Sequence, residues 1–294
     1  MKKFRIHPLI IDIISEIYQN DEATLYLNNE IMANITVTSG IRQGCNGSTS
    51  LFLLITYLII LHLNQAQTGF RDDICYIPAL FYADDGLLLS QSETEAQLML
   101  EILTDSAHAC GLEINKDKSF VMLYNQTTNT ESLHGIKVTN EIKYLGVNIT
   151  NKRRCFGTYK KEKISEARKL SNVTAAVVAK SSNRLLIGKT YWKQVALPKF
   201  LYCQSVIPYT DNELEQLQKE ENKAFRTILR VPKYTPNSFL KGEIGSSHMK
   251  SRDAKAKLLY TRHIMTYSSN DLLKQCLLHR LENVKDKWTK YVDK

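Results

Sequence analysis

Apolar and polar positions repeat with two different periods along this chain, and the change comes near residue 150. Over residues 7–19, "HPLIIDIISEIYQ", apolar side chains recur at helical spacing, which predicts an amphipathic helix. Two segments of alternating character follow, "ATLYLNN" (23–29) and "ANITVTSG" (33–40), and Asn29-Glu30 between them fits a hairpin turn. The unbroken apolar run "LFLLITYLIILHL" (51–63) predicts a buried core helix over about 49–66, with Ser48 as its N-cap. Thirteen residues is short for a bilayer span. Next come two short strand-like pieces, "ALFYA" (79–83) and "GLLLS" (86–90), with Asp85-Gly86 as the tight-turn signal.

Ser92 and Glu95 in "SETE" (92–95) form a capping-box pattern. Ala96, Met99, Leu100, Leu103, Ala107 and Cys110 then follow at helical spacing, and Gly111 supplies the stop. The strand-like pieces "SFVMLY" (119–124) and "KYLGVNI" (143–149) close this half. From about Lys152 the pattern is helical and basic, with long stretches near 158–180, 183–207, 211–230 and 250–266. The expectation is an α+β fold in two parts, residues 1–150 of β-α-β-β-α-β flavour and residues 151–294 helical, without internal repeat or low-complexity linker.

Charge sharpens that division. Residues 1–150 hold 9 Lys+Arg against 17 Asp+Glu, a net of −8, whereas residues 151–294 hold 30 against 13, a net of +17. An acidic half joined to a basic half points to a polyanion held by one part and cations or chemistry in the other. A lysine-rich helical surface that is merely solvated is the plainer reading of the same numbers. The six cysteines contain no C-x-x-C pair and the seven histidines have no metal-ligand spacing, which argues against a zinc site or a disulfide framework. The start, "MKKFRIHPLIIDIISE", reaches Asp12 before any useful apolar length and does not read as a signal peptide. An intracellular location, nuclear or cytoplasmic, is expected, with no membrane partner.

The feature that asks for an explanation is "PALFYADDGLLLS" (78–90), where Asp84 and Asp85 stand between two apolar runs. Adjacent carboxylates repel and are costly to bury unless a cation sits against them. The same dipeptide at Asp72-Asp73, in "TGFRDDICY", lies in an unremarked loop and reads as solvated. At 84–85, strands on both sides would hold the carboxylates rigidly, as a hard oxygen-seeking cation such as Mg²⁺ requires. Two such ions about 4 Å apart can activate an attacking hydroxyl and stabilise a leaving pyrophosphate. Neighbouring strand residues face opposite ways, so Asp84 is the expected ligand and Asp85 its support.

Three further segments stand in order around this one: "GIRQGCNGSTSLF" (40–52), "GLEINKDKS" (111–119) and "KYLGV" (143–147). Together the four resemble the palm of reverse transcriptases, most closely the non-LTR (LINE-like) retrotransposon class, with group II intron enzymes next. Each segment alone is weak evidence, and the ordered set is far stronger. The resemblance implies that Tyr82, Ala83, Asp84 and Asp85 are the catalytic hairpin, with Mg²⁺ (or Mn²⁺) as cofactor. It implies that Arg42, Gln43 and Gly44 line the nucleotide and template pocket, where a glycine lets backbone approach a base or sugar. Lys118 would assist the leaving pyrophosphate, and Tyr144, Leu145 and Gly146 would grip the primer end. The implied partners are an RNA template, a DNA primer and dNTPs.

The likeness extends more loosely through "RLLIGKTYWKQVALPKFLYC" (184–203), "LQKEENKAFRTILR" (217–230) and residues 240–263. There the run Lys152, Arg153, Arg154, Lys160, Lys161, Lys163, Arg168 and Lys169 would suit a thumb lying along a duplex backbone. The family also uses an aspartate from a strand upstream of the R-Q-G segment, and only 39 residues precede Gly40 here. Asp12 lies in a helical pattern and is not assigned that role. Asn46, Gly47 and Thr49 stand where the family has Pro, an apolar residue and Pro. The zinc-binding tail and endonuclease of complete elements are not visible. The expectation is therefore a nucleotidyltransferase domain that does not polymerise as written. A non-catalytic nucleic-acid-binding remnant is the alternative, and a metal-dependent nuclease using Asp84 and Asp85 a weaker third.

Overall fold

The structure, a computed structural model, describes residues 4–289 apart from 20, 39, 43, 74, 125–130, 153, 268–270 and 285–287. The fold is α+β, and the chain packs as two compact units. One comprises Met1–Asp72, Tyr76–Ser119 and Leu133–Ile136; the other comprises Asp73–Cys75, Phe120–Ser132 and Lys137–Lys294.

The first unit opens with α1 (Pro8–Tyr18), started by Pro8, whose fixed φ suits the first helical turn. The hairpin of β1 (Glu22–Leu27) and β2 (Glu30–Thr36) follows. Its turn is Asn28-Asn29, one residue earlier than the expected Asn29-Glu30, because both asparagines take positive φ (51° and 67°), as that tight turn requires. The apolar stripe of α1 is present but uncovered: Leu9, Ile10, Ile13 and Ile17 are 45–60% exposed, and no residue of the helix is buried.

The core of this unit lies instead on α2 (Asn46–Gln65) and α3 (Glu93–His108). Ile59 and Leu63 of α2 meet Met99 of α3 and Ala79 of β5 (Ala79–Tyr82). Ser106 Oγ and His62 Nδ1, 2.8 Å apart, tie the two helices together. By length and composition alone α2 could cross a bilayer, although its Thr56, Ile59 and Leu63 are buried within the unit. Ser48 is not its N-cap. Cys45 occupies that position without a side-chain hydrogen bond, and Ser48 Oγ lies 3.1 Å from the Tyr18 hydroxyl instead. At α3 the expected cap is present, with Ser92 Oγ accepting from Glu95 N–H at 3.2 Å. The reciprocal half of the capping box is not, because the Glu95 carboxylate accepts from Gly69 and Gln91 N–H at 2.8 and 2.7 Å.

Between these helices lie β3 (Phe70–Arg71), β4 (Tyr76–Ile77), β5 and β6 (Asp85–Leu88). Beyond α3 come a 3₁₀ turn (Lys116–Lys118), β7 (Phe120–Val121), β8 (Ser132–Leu133) and β9 (Ile136–Val138), with β9 parallel to β7. The expected strand 119–124 thus shrinks to two residues. The piece expected at 143–149 is a hairpin of β10 (Glu141–Tyr144) and β11 (Val147–Thr150).

The second unit is otherwise helical. α4 (Gly157–Ala179), α7 (Asp211–Leu229), α8 (Asn237–Ile244), α9 (Met249–Tyr267) and α10 (Asp271–Asn283) form it together with one composite helix. That helix runs as α5 (Arg184–Tyr191), a single π turn (Trp192–Ala196) and α6 (Leu197–Phe200). The π turn seats Trp192, fully buried, against Phe200 and Phe225 at centroid distances of 5.8 and 5.9 Å. α7 starts with a closed capping box between Thr210 and Glu213.

Candidate active site

The hairpin of β5 and β6 has the register Ala79↔Leu88, Leu80↔Leu87, Phe81↔Gly86 and Tyr82↔Asp85. Alternation turns Ala79, Phe81 and Leu88 toward α2 and α3, where they join the core. The turn is therefore Ala83-Asp84, not the expected Asp85-Gly86. Ala83 takes φ +53°, an unfavourable conformation for a residue with a Cβ, and Asp84 does not. Gly86 is used for packing: a Cβ there would lie 2.6 Å from Cε1 of Phe81, so the phenyl ring fills the space that a side chain would need.

This arrangement leaves Asp84 in the turn and Asp85 as the first residue of β6. Tyr82 is 67% exposed, and Ala83, Asp84 and Asp85 are exposed with it. Neither carboxylate has a hydrogen bond or ion pair with a described residue, in contrast to Glu166, Glu213, Glu220 and Glu221 of the second unit. Two adjacent free carboxylates at the end of an anchored hairpin offer hard oxygen donors to a divalent cation. They are few: among the described residues no group of three or more His, Cys, Asp or Glu side chains converges on one point.

Lys118 ends the 3₁₀ turn, held by its own N–H to Asn115 Oδ1 (3.1 Å) and by Ser119 Oγ donating to the Asn115 carbonyl (2.8 Å). Its side chain is exposed. Lys118, the Asp84 hairpin and the Arg42–Gly44 segment all belong to the first unit. The segment runs directly into α2, and the hairpin packs on Ile59 of the same helix. Thirteen residues separate Asn46 from Ile59, about 20 Å of helix axis. α2 is thus the rod to which both are attached.

Arg42 does not project freely. Its Nε donates to Asp21 Oδ2 at 2.8 Å, its Nη2 to the Ile17 carbonyl at 2.7 Å, and the guanidinium lies 5.7 Å above the Tyr18 ring. The bond to Asp21 raises the pKa of Arg42. The geometry gives Arg42 the task of fastening the end of α1 to the entry of α2. Gly44 has φ +82° and open space around its Cα, so backbone approach there is unhindered. These residues, with Cys45, Ser48, Thr49 and Phe52, line an open cavity of about 550 Å³. The Cys45 thiol is held below its ordinary pKa, chiefly by the Gly47 backbone N–H. Gln43 and Arg153 lie outside the described residues.

The Tyr144–Gly146 segment belongs to the second unit. Leu145 and Gly146 both take positive φ (47° and 77°) and make the two-residue turn between β10 and β11. Tyr202 Oη donates to the Leu145 carbonyl at 3.0 Å, and Tyr159 Oη donates to the Tyr202 carbonyl at 2.7 Å. Burial pushes the Tyr159 hydroxyl pKa well up, so it stays a donor. Sequence reasoning missed Tyr202. It lies just past the end of α6, and nothing in the local sequence distinguishes it from the neighbouring Tyr191.

Three cations of the basic run are committed inside the unit. Lys160 pairs with Glu213 (3.1 Å), Lys163 with Glu166 (2.8 Å) and the Lys199 carbonyl (3.1 Å), and Arg168 with Glu220 (3.3 Å). Lys152, Arg154, Lys161 and Lys169 are exposed and have no ion pair with a described residue.

Residues 1–149 match the family model described as reverse transcriptase (RNA-dependent DNA polymerase).

Proposed function

Because the chain belongs to the reverse transcriptase family, we propose that it derives from the non-LTR (LINE-like) class. In this reading residues 1–150 are a partial palm and residues 151–294 a basic thumb-like region. The activity of the family is RNA-directed DNA polymerisation on an RNA template, a primer and dNTPs. The observation that carries its assignment to a site is the β5–β6 tip, where Asp84 and Asp85 are exposed, unpaired and anchored by Phe81 over Gly86. Asp84 and Asp85 would hold Mg²⁺ or Mn²⁺, which when bound supplies activation of the attacking hydroxyl and charge neutralisation at the leaving pyrophosphate. Asp84, in the turn, would be the principal ligand, and Asp85, opposite Tyr82 in the hairpin register, would support it.

The remaining site residues are assigned on the resemblance. Gly44 opens the backbone to a base or sugar, Lys118 faces the pyrophosphate, and the Leu145-Gly146 turn supports the primer end. Arg42 contributes by holding this wall of the site. Lys161, Arg154, Lys160 and Lys163 carry the nucleic-acid backbone, the last two at the cost of their present ion pairs. Six free cysteines support an intracellular location.

Two carboxylates are a short donor set for a hard cation, so this chain alone binds Mg²⁺ weakly and does not polymerise. The test is dNTP incorporation on a primed RNA template. Incorporation that Asp84→Ala abolishes would overturn the inactivity and uphold the site. The second reading, a nucleic-acid binder that uses only the basic half, is favoured by the +17 of residues 151–294. Primer–template affinity measured with and without Mg²⁺, for wild type and Asp84→Asn, separates the two. A value unmoved by either change selects the binder.

A further inference from the structure

Among the described residues of the second unit, carboxylates pair with Lys160, Lys163, Arg168, Lys199, Lys250 and Lys257, whereas a group of four cations at one turn has a single carboxylate partner, Glu221 on Arg252. Around the α8–α9 connection, side chains from four elements converge: Lys189 of α5, Lys193 of the π turn, Lys241 of α8 and Arg252 of α9. Lys193 Nζ donates to the Gly245 carbonyl at 3.1 Å. A Cβ placed on Gly245 would lie 3.8 Å from Lys193 Nζ and 3.9 Å from Lys189 Nζ. The two ammoniums are thus within about 8 Å of each other, where like charges repel by about 2 kcal/mol at an effective dielectric of 20.

Glu221, the carboxylate that acts on Lys241, is committed elsewhere. Glu221 is fully buried, and its Oε1 already accepts from Arg252 Nη1 (2.7 Å) and Trp192 Nε1 (3.3 Å). Its Oε2 accepts from Gln218 Nε2 (2.9 Å). Arg252 also bonds Ser246 of the turn. Lys250, close by in sequence, is matched by Asp211 and Glu215. Lys189, Lys193 and Lys241 have no carboxylate partner among the described residues. Desolvation lowers the pKa of Lys241, and Arg252 lowers it further, against Glu221. Two ammoniums at Gly245 and a third beside Arg252, none with a carboxylate partner among the described residues, form a site that gains stability when an anion enters it.

We propose that the α8–α9 turn, ringed by Lys189, Lys193 and Lys241 with Arg252 beneath, binds the phosphodiester backbone of a nucleic acid. Lysine ammoniums act there as point charges on phosphate oxygens, without base preference. The site rests on the reading of the second unit as a nucleic-acid holder but uses neither Asp84 nor a metal, so the two fail independently.

The test is fluorescence anisotropy of a mixed-sequence single-stranded RNA over a salt series, without dNTPs or divalent cations. Each phosphate contact contributes about 0.7 to the log–log salt slope on single strands, so K189Q/K193Q/K241Q should reduce the slope by about 2. That corresponds to about 100-fold weaker binding at 0.1 M salt. The matched triple K180Q/K219Q/K233Q, at exposed positions elsewhere, should lose much less. An unchanged slope, or an equal loss in both triples, overturns the site. Calorimetry with inorganic phosphate covers the other source of the same chemistry. Phosphate binding that depends on these lysines, with an unaltered RNA slope, would make free phosphate the ligand and refute the proposal. If circular dichroism shows the triple unfolded, the three single Lys→Gln variants replace it, each expected to lose about 0.7 of slope.

Discussion

Gly188 sits in the interior of α5, where alanine is ordinarily the better residue by about 1 kcal/mol. The packing reverses that preference. A Cβ on Gly188 would lie 2.8 Å and 2.9 Å from Cγ1 and Cγ2 of Ile228, and 2.9 Å from Cγ1 of Val178. Both partners are only 1% exposed, so neither can swing aside into solvent. Overpacking of this kind costs about 1–3 kcal/mol, and three simultaneous short contacts on two β-branched side chains belong at the upper end. Subtracting the helix-propensity gain leaves Gly188→Ala about 2 kcal/mol less stable. With a urea m-value of about 2 kcal/mol/M, the midpoint falls by roughly 1 M. Urea unfolding followed by circular dichroism and by tryptophan fluorescence, from Trp192 and Trp288 of the same unit, reads this directly. Ile228→Ala removes two of the three clashing atoms. In the Gly188→Ala background it should therefore cost at least about 1 kcal/mol less than in wild type, a coupling typical of residues in contact. A neutral or stabilising Gly188→Ala would refute the close approach of α5 to α7 and α4, and with it the placement of Lys189.

Three further outcomes follow from the geometry. Tyr202→Phe removes the bond to the Leu145 carbonyl and should destabilise the unit by about 1 kcal/mol, whereas Leu145→Gly relieves positive φ and should stabilise it by about 1 kcal/mol; chemical denaturation checks both. Cys45, with its lowered thiol pKa, should react with iodoacetamide first at neutral pH, and Cys203, raised by burial, should lag and gain most as pH rises; peptide mass spectrometry gives the order. Glu213 feels burial, which raises its pKa, but the Thr210 N–H and Lys160 outweigh it and leave the pKa lowered. Its stabilisation is thus present above the ordinary glutamate value and is lost as pH falls below about 4. Glu213→Gln should flatten that part of the acid-unfolding curve, and an unaltered curve would count against the Lys160 pairing.

Much of the fold was written in local sequence. Ser92 before an acidic first turn and Gly111 after the last apolar position mark α3, because caps and αL stops involve residues only a few positions apart. Three of the four expected basic helices, α4, α7 and α9, appear near their expected bounds for the same reason, their 3.6-residue period being a property of the segment itself, whereas the stretch expected over 183–207 ends at Phe200. The family was likewise legible, as four short segments in order.

Tertiary structure decided what each local signal was used for. Asp85-Gly86 is a sound turn signal, yet Phe81 must face α2 and α3, and its ring needs the space beside Gly86, so the turn moved to Ala83-Asp84. Ser48 is a sound cap, yet the Tyr18 hydroxyl, thirty residues away, lies against it. Lys160, Lys163 and Arg168 read as free cations until α7 and the next turn of α4 bring Glu213, Glu166 and Glu220 to them, while Lys189 and Lys193 converge at Gly245 and Lys241, distant in sequence, lies beside Arg252. Residue types and periodicity are fixed one segment at a time. Which charges are cancelled, and which hydroxyl finds which partner, depends on atoms that only chain folding brings within 3 Å.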